Sequence, residues 1–174
     1  LHYDHVGNFH KFAKARFHLQ TREMGFVTGP YMRYPKFGHS FEVEDVVGMV
    51  KLNFKGRVEQ HNGEVELAPG ITLHHVGGHT PGLQIVRVMT KRGWVVLASD
   101  ATHYYEHMQK NRFFTTAFNL GDMVDGYRTC ERLAASPDHI VPGHDPLVMK
   151  LYPAVSPELE GMIVRLDVAP VAEG

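Results

Sequence analysis

The amino-acid sequence predicts a mixed α/β (α+β) fold in which sheet cores are covered by helices. Three observations carry this. Strand-length apolar runs bounded by Gly, Pro and Asn recur through the middle of the chain. Segments with apolar residues at three- and four-residue spacing lie among them and read as helices. Hydrophobic residues make up 43% and charged residues 21% of 174 residues, which is globular composition, unlike a disordered tail, a collagen or a long coiled coil. The length corresponds to a single domain over residues 1–174. The chain opens on Leu1-His2-Tyr3-Asp4-His5, dense in reactive side chains, and reads as the C-terminal portion of a longer chain.

From Asn8, a plausible N-cap, Phe9, Phe12, Ala13 and Phe17 form a helical stripe. Residues 25–41, with Phe26, Tyr31, Tyr34, Phe37 and Phe41, read as an aromatic covering loop. Val43, Val46, Val47 and Val50 predict a helix over Glu42 to Asn53. Strand signals near 57–60 and 64–67 flank Asn62-Gly63, a strong hairpin dipeptide. Ile71 to Val76 reads as a strand, and Leu83–Thr90 and Trp94–Ser99 as a hairpin. A helix from Asp122 carries Met123, Tyr127, Cys130 and Ala134 on one face and stops at Ser136-Pro137. His139-Ile140-Val141 is a last short strand, and the tail from Tyr152 is weakly patterned.

The formal net charge is −1, with no basic stripe, which argues against a nucleic-acid partner. No apolar run reaches membrane-spanning length, so no membrane partner is expected. The single cysteine, Cys130, excludes an intramolecular disulfide and a multi-cysteine zinc site and fits a reducing, cytoplasmic compartment. The 13 histidines invite a search for metal-ligand spacing. Four segments place His or Asp where a strand meets a loop: His2-Tyr3-Asp4-His5, Gly78-His79-Thr80-Pro81-Gly82, Ser99-Asp100-Ala101 and Pro142-Gly143-His144-Asp145. Taken singly, Asp100 could be a helix N-cap and the His79 segment only a turn. Together they supply His2, Asp4, His5, His79, Asp100 and His144. That exceeds the needs of one tetrahedral ion and suits two divalent ions sharing a carboxylate. Zinc is the expected metal, and manganese, iron or cobalt suit the same ligands.

These motifs resemble the metallo-β-lactamase superfamily. His2-x-Asp4-His5 looks like the end of the family's His-x-His-x-Asp-His motif, whose first His would precede Leu1. Gly78-His79-Thr80-Pro81-Gly82, Asp100 and Gly143-His144 match the later ligand positions in order. The resemblance implies an αββα sandwich, N-terminally truncated here. His2 and His79 would serve one metal, Asp4, His5 and His144 the other, and Asp100 would bridge. Within the superfamily the chain is similar to quorum-quenching N-acyl-homoserine lactone lactonases, through Gln20-Thr21-Arg22-Glu23, Asp100-Ala101 and Gly143-His144-Asp145. It departs from them in two places. His103 stands where those enzymes carry a Tyr, with Tyr104 and Tyr105 following, and Leu83 stands where many members have a His.

The resemblance implies a hydrolase that opens a small-molecule ester or lactone by a hydroxide bridging two metals. Asp4 would move a proton, and His103, Tyr104 or Tyr105 would donate to the developing oxyanion. The aromatics of residues 25–41 would either wall an acyl chain or simply pack on the sandwich. A thioester hydrolase of the glyoxalase II kind is the enzymatic alternative, and a non-catalytic metal-binding domain the other. Oligomeric state is not legible.

Overall fold

Two sheets face each other in the computed structural model of the chain, which describes residues 1–171. The larger runs β3 (Val65–Ala68), β4 (Ile71–His75), β5 (Gln84–Thr90), β6 (Gly93–Ser99) and β7 (Ile140–Pro142), in that order. Strands β3 to β6 pair antiparallel, and β7 joins β6 in parallel. The smaller sheet pairs β1 (Phe17–Gln20) with β2 (Val58–His61) in parallel. A parallel pair requires a crossover. Here it contains α2 (Thr21–Val27), α3 (Pro35–Gly38) and α4 (Val43–Phe54).

The two-residue period of β5 assigns its faces. Ile85 is fully buried and packs with Val96, Ala98 and Ile140 against Cys130 and Leu133 of α6 (Leu120–Leu133). On the other face, Gln84 reaches the small sheet: it accepts from Gln20 Nε2 at 3.0 Å and donates to the His18 carbonyl at 2.8 Å. Beyond the small sheet, Met49 and Leu52 of α4 pack with Leu19 and Val58. The layers are therefore helix, sheet, sheet, helix, the αββα arrangement implied by the resemblance. A cavity of about 340 Å³ lies along β1, lined by Phe17, Leu19, Met49, Gln84 and Val86, and reaches His2, His79 and Asp100.

Four local expectations are corrected. The stripe from Phe9 to Phe17 is not a helix: Phe9–Lys11 make a single 3-10 turn, and Phe17 begins β1. Pairing of Phe17 with Val58 claims this residue for the sheet, and Phe12 is left 58% exposed. The Asn62-Gly63 turn does not close a hairpin, because β2 and β3 belong to different sheets. The turn passes the chain between sheets, held by Gln20, whose side chain bonds both the N–H and the carbonyl of Gly63. Helix α6, which follows the short α5 (Tyr105–Gln109), starts at Leu120 rather than Asp122, with the Asn119 side chain accepting from the N–H groups of Gly121 and Asp122. Residues 25–41 contain short helical turns, Pro30–Arg33 and α3, rather than a plain loop. Among the described residues, no helix is long and apolar enough to cross a membrane.

Candidate metal centre

The four chemistry-bearing segments converge at one end of the sandwich. His2 directly precedes the short helix α1 (Tyr3–Val6), which carries Asp4 and His5. His79 follows β4 on a turn that α6 clamps: the N–H groups of Phe118 and Asn119 both donate to the Gly78 carbonyl at 2.9 Å. Gly78 has φ +89°, and a Cβ there would lie 2.8 Å from the Met123 Cα, so the turn needs glycine. Asp100 follows β6 through Ser99, a left-handed residue at φ +47°. The β7 end is stitched beside it. Gly143 N–H donates to the carbonyls of Ser99 and Thr102, and His144 N–H to that of His103 at 3.0 Å. Asp145 completes the tie, accepting from the N–H of Tyr105 and of Leu147.

The side chains form three overlapping groups of donor atoms, each within 4.8 Å: His2, His79 and Asp100; Asp4, His5 and His144; Asp100, His103 and His144. His2 Nδ1 and His79 Nε2 are 3.0 Å apart. The other nitrogen of His79, Nδ1, lies 2.6 Å from the Thr116 carbonyl. That contact makes Nδ1 the donor and leaves the Nε2 lone pair facing the centre. Asp100 is 3% exposed and joins the groups. Its Oδ1 lies 2.7 Å from His144 Nε2, and its Oδ2 2.6 Å from His5 Nε2 and 3.6 Å from His79 Nε2. Asp4 Oδ2 stands 3.6 Å from both His5 Nε2 and His144 Nε2.

These close approaches are not hydrogen bonds throughout. Asp100 Oδ1 and His103 Nε2 are buried with no hydrogen-bond partner among the described residues, although His144 Nε2 is close to Oδ1. Nitrogen and oxygen donors that crowd together without hydrogen-bond alignment, in a pocket too buried to leave them unsatisfied, suit a cation. Imidazole and carboxylate are the donors that borderline divalent metals take. The residues present therefore fit divalent-metal binding.

Burial sets the protonation of the inner pair. It pushes His2 down to about 4, with the neighbouring His79 adding to the effect, and it lowers His79. Both are thus held neutral, the form that ligates metal. Contact with Asp100 raises His5. Burial alone would raise Asp100, but His103, His5 and His79 outweigh it and hold the carboxyl below the usual range. The metal-free protein is accordingly expected to lose stability as pH falls from 6.5 towards 4. In that window the unfolded chain binds a proton at His2 that the folded chain does not, and His79 acts in the same direction. His5 opposes them, its contribution being lost as pH rises through its raised value, but two lowered groups face one raised. Urea midpoints at neutral pH and at pH 5 check this. A higher midpoint at pH 5 would show that His5 dominates.

All six residues expected to hold metal meet at this centre, and His103 stands beside them, ring to ring with His144 at 4.7 Å. Tyr104 lies further out: it is 43% exposed, with its ring 6.5 Å from that of His103. The aromatics of residues 25–41 pack largely on one another. Phe26, Tyr31 and Phe37 surround Phe118 at 5.1–5.7 Å, and Phe41 meets the His2 ring at 4.4 Å. Glu23, 3% exposed, accepts from the Thr80 hydroxyl and the Gly82 N–H, so the Gln20–Glu23 segment supports the His79 turn. Sequence reasoning missed Thr116, which orients His79 through a backbone carbonyl, and Phe114, which stacks on His103. Neither lies in a motif, and a backbone carbonyl leaves no residue-type signal.

The family model of the metallo-beta-lactamase superfamily matches residues 1–148. An N-acyl homoserine lactonase from Bacillus sp is 33% identical over 110 residues, covering 63% of this chain and 38% of the relative. Among solved structures, a variant of the B. thuringiensis protein AiiA with N-decanoyl-L-homoserine bound at its active site superposes with TM-score 0.70 at 22% identity. That match covers 86% of this chain and 55% of the other. AidC, a dizinc quorum-quenching lactonase in complex with a product, gives TM-score 0.54 at 13% identity over 76% of this chain and 49% of its own. The chain thus spans about two-fifths of the curated relative and about half of each solved chain.

Proposed function

The chain belongs to the metallo-beta-lactamase superfamily, and we propose that it is the metal-binding part of a hydrolase that opens a lactone ring, with N-acyl-homoserine lactones as the substrate class. The observation that carries this is the buried Asp100 carboxylate, which lies in one donor group with His2 and His79 and also contacts His5 and His144 of the other set. His2 and His79 would hold one divalent ion, Asp4, His5 and His144 the second, and Asp100 both, with zinc the expected metal. Bound there, such ions polarise an ester carbonyl and bring the ionisation of water near neutral pH. The likeness to a Bacillus N-acyl homoserine lactonase supports the choice of lactone over thioester.

The chain's own residues do the rest. Asp100 would place one negative charge between the two donor sets, in a nearly water-free position. The Thr116 carbonyl and the Glu23-supported turn hold His79 in one tautomer and one orientation. Asp4 is about one-third exposed, at the mouth of the centre, where its carboxylate can take a proton and return it to the leaving alkoxide. The Tyr104 phenol, exposed beyond His103, would donate to oxygen on the substrate as charge develops there.

The test is proton release by the metal-loaded protein given a long-chain N-acyl-homoserine lactone, with a glutathione thioester as competitor. Fast release from the lactone, abolished by chelation, is expected. Turnover of the thioester alone would replace this reading with the glyoxalase II kind. Two bound ions with hydrolysis of neither substrate would favour a non-catalytic metal-binding domain.

A further inference from the structure

We propose that His103 is itself a metal ligand, supplying through Nε2 a further imidazole to the ion held by Asp100 and His144. This rests on the metal-binding reading above and extends its ligand set beyond the six motif residues.

Four observations point the same way. His103 Nε2 is buried and has no hydrogen-bond partner among the described residues. It lies 3.4 Å from Asp100 Oδ1, which itself sits 2.7 Å from His144 Nε2. Ligands about 2.0–2.2 Å from one zinc ion lie within about 4.4 Å of each other, so both separations suit a shared ion. His103, Asp100 and His144 form a donor group in their own right. Finally, the His103 ring cannot easily turn away. It stacks on Phe114 with centroids 3.6 Å apart and planes 12° from parallel, while its carbonyl accepts from the His144 N–H. A side chain whose backbone is tied to one ligand and whose ring is clamped has lost its rotamer freedom before any ion arrives.

An oxyanion donor would need its N–H directed at substrate. Here the nitrogen that faces the centre is enclosed by Asp100 and the neighbouring imidazoles rather than by open space.

Cobalt(II) binding by the intact protein tests this without reference to turnover. In His103→Gln, X-ray absorption should count one imidazole fewer per pair of ions. One cobalt equivalent should lose at least about tenfold in affinity, and the other should be unchanged. Cobalt absorption is the independent arm. The visible bands of the cobalt protein should change in position or intensity in His103→Gln, because one coordinating nitrogen is lost. An unchanged imidazole count, affinity and cobalt spectrum in His103→Gln overturns the proposal. Failure of the lactonase reading would look different: wild type would bind cobalt with the full imidazole count and open no lactone.

Discussion

Replacing Asp100 by Asn should abolish the proposed hydrolysis while leaving the fold in place. The two side chains have nearly the same shape, so no cavity opens at a position only 3% exposed. The chemistry changes sharply. Asp100 presents Oδ1 towards His144 and Oδ2 towards His5 and, on the side of the other donor set, His79, and an amide presents an oxygen on one side and an N–H donor on the other. An amide cannot act as an anion shared by two cations. Loss of several kcal/mol of charge stabilisation, at about 1.4 kcal/mol per decade, corresponds to roughly a 10³-fold fall in turnover. Metal content should fall below two ions per chain. A second readout needs no metal: contact with Asp100 is the largest cause of the raised His5 value, so that value should move down in the variant. Proton NMR titration of the metal-free proteins measures it. Two ions retained with full turnover would remove Asp100 from the bridging role.

Gly143→Ala should weaken both stability and metal binding, although Gly143 offers no side chain to the centre. A Cβ there would lie 2.7 Å from the Ser99 carbonyl oxygen, 2.8 Å from its carbon and 3.1 Å from its Cα. All three are backbone atoms and cannot swing aside, so the ends of β6 and β7 must separate. Overpacking of this kind costs about 1–3 kcal/mol. The separation also breaks the stitch that sets His144 against Asp100. Since an ion that binds only the native state raises apparent stability by mass action, the metal-induced rise in Tm should shrink in the variant. Thermal unfolding with and without zinc gives both quantities. A Tm and a metal-induced shift equal to wild type would mean that the strand ends are not tied as described.

The segments legible in the sequence are those whose signal is local. The β4–β5–β6 meander is written in apolar runs punctuated by Gly77-Gly78 and Lys91-Arg92-Gly93, and the expected strands match it within a residue. Helix α4 lies where the valine spacing puts it, although its buried residues are Met49 and Leu52 and Val43 is 72% exposed, and α6 is carried by Met123, Tyr127 and Cys130, all buried on one face. What failed was local signal with a distant owner. Phe9, Phe12 and Phe17 keep helical spacing, yet Phe17 pairs with Val58, which lies beyond α4. Asn62-Gly63 carries hairpin chemistry, yet its flanking strands go to different sheets. Turn propensity bends the backbone but does not choose the partner strand.

The candidate centre divides in the same way. By itself the sequence determined which residue types stand at strand ends, hence the six candidate donors and the superfamily they resemble, because motif spacing is a property of the chain. Only the tertiary structure decided that Asp100 faces both donor groups, that the Thr116 carbonyl sets the tautomer of His79, and that Phe114 stacks His103 with Nε2 turned to the centre. Those relations join residues far apart in the chain. They arise from burial, backbone hydrogen bonds and ring stacking, forces that act through space and leave no spacing to read.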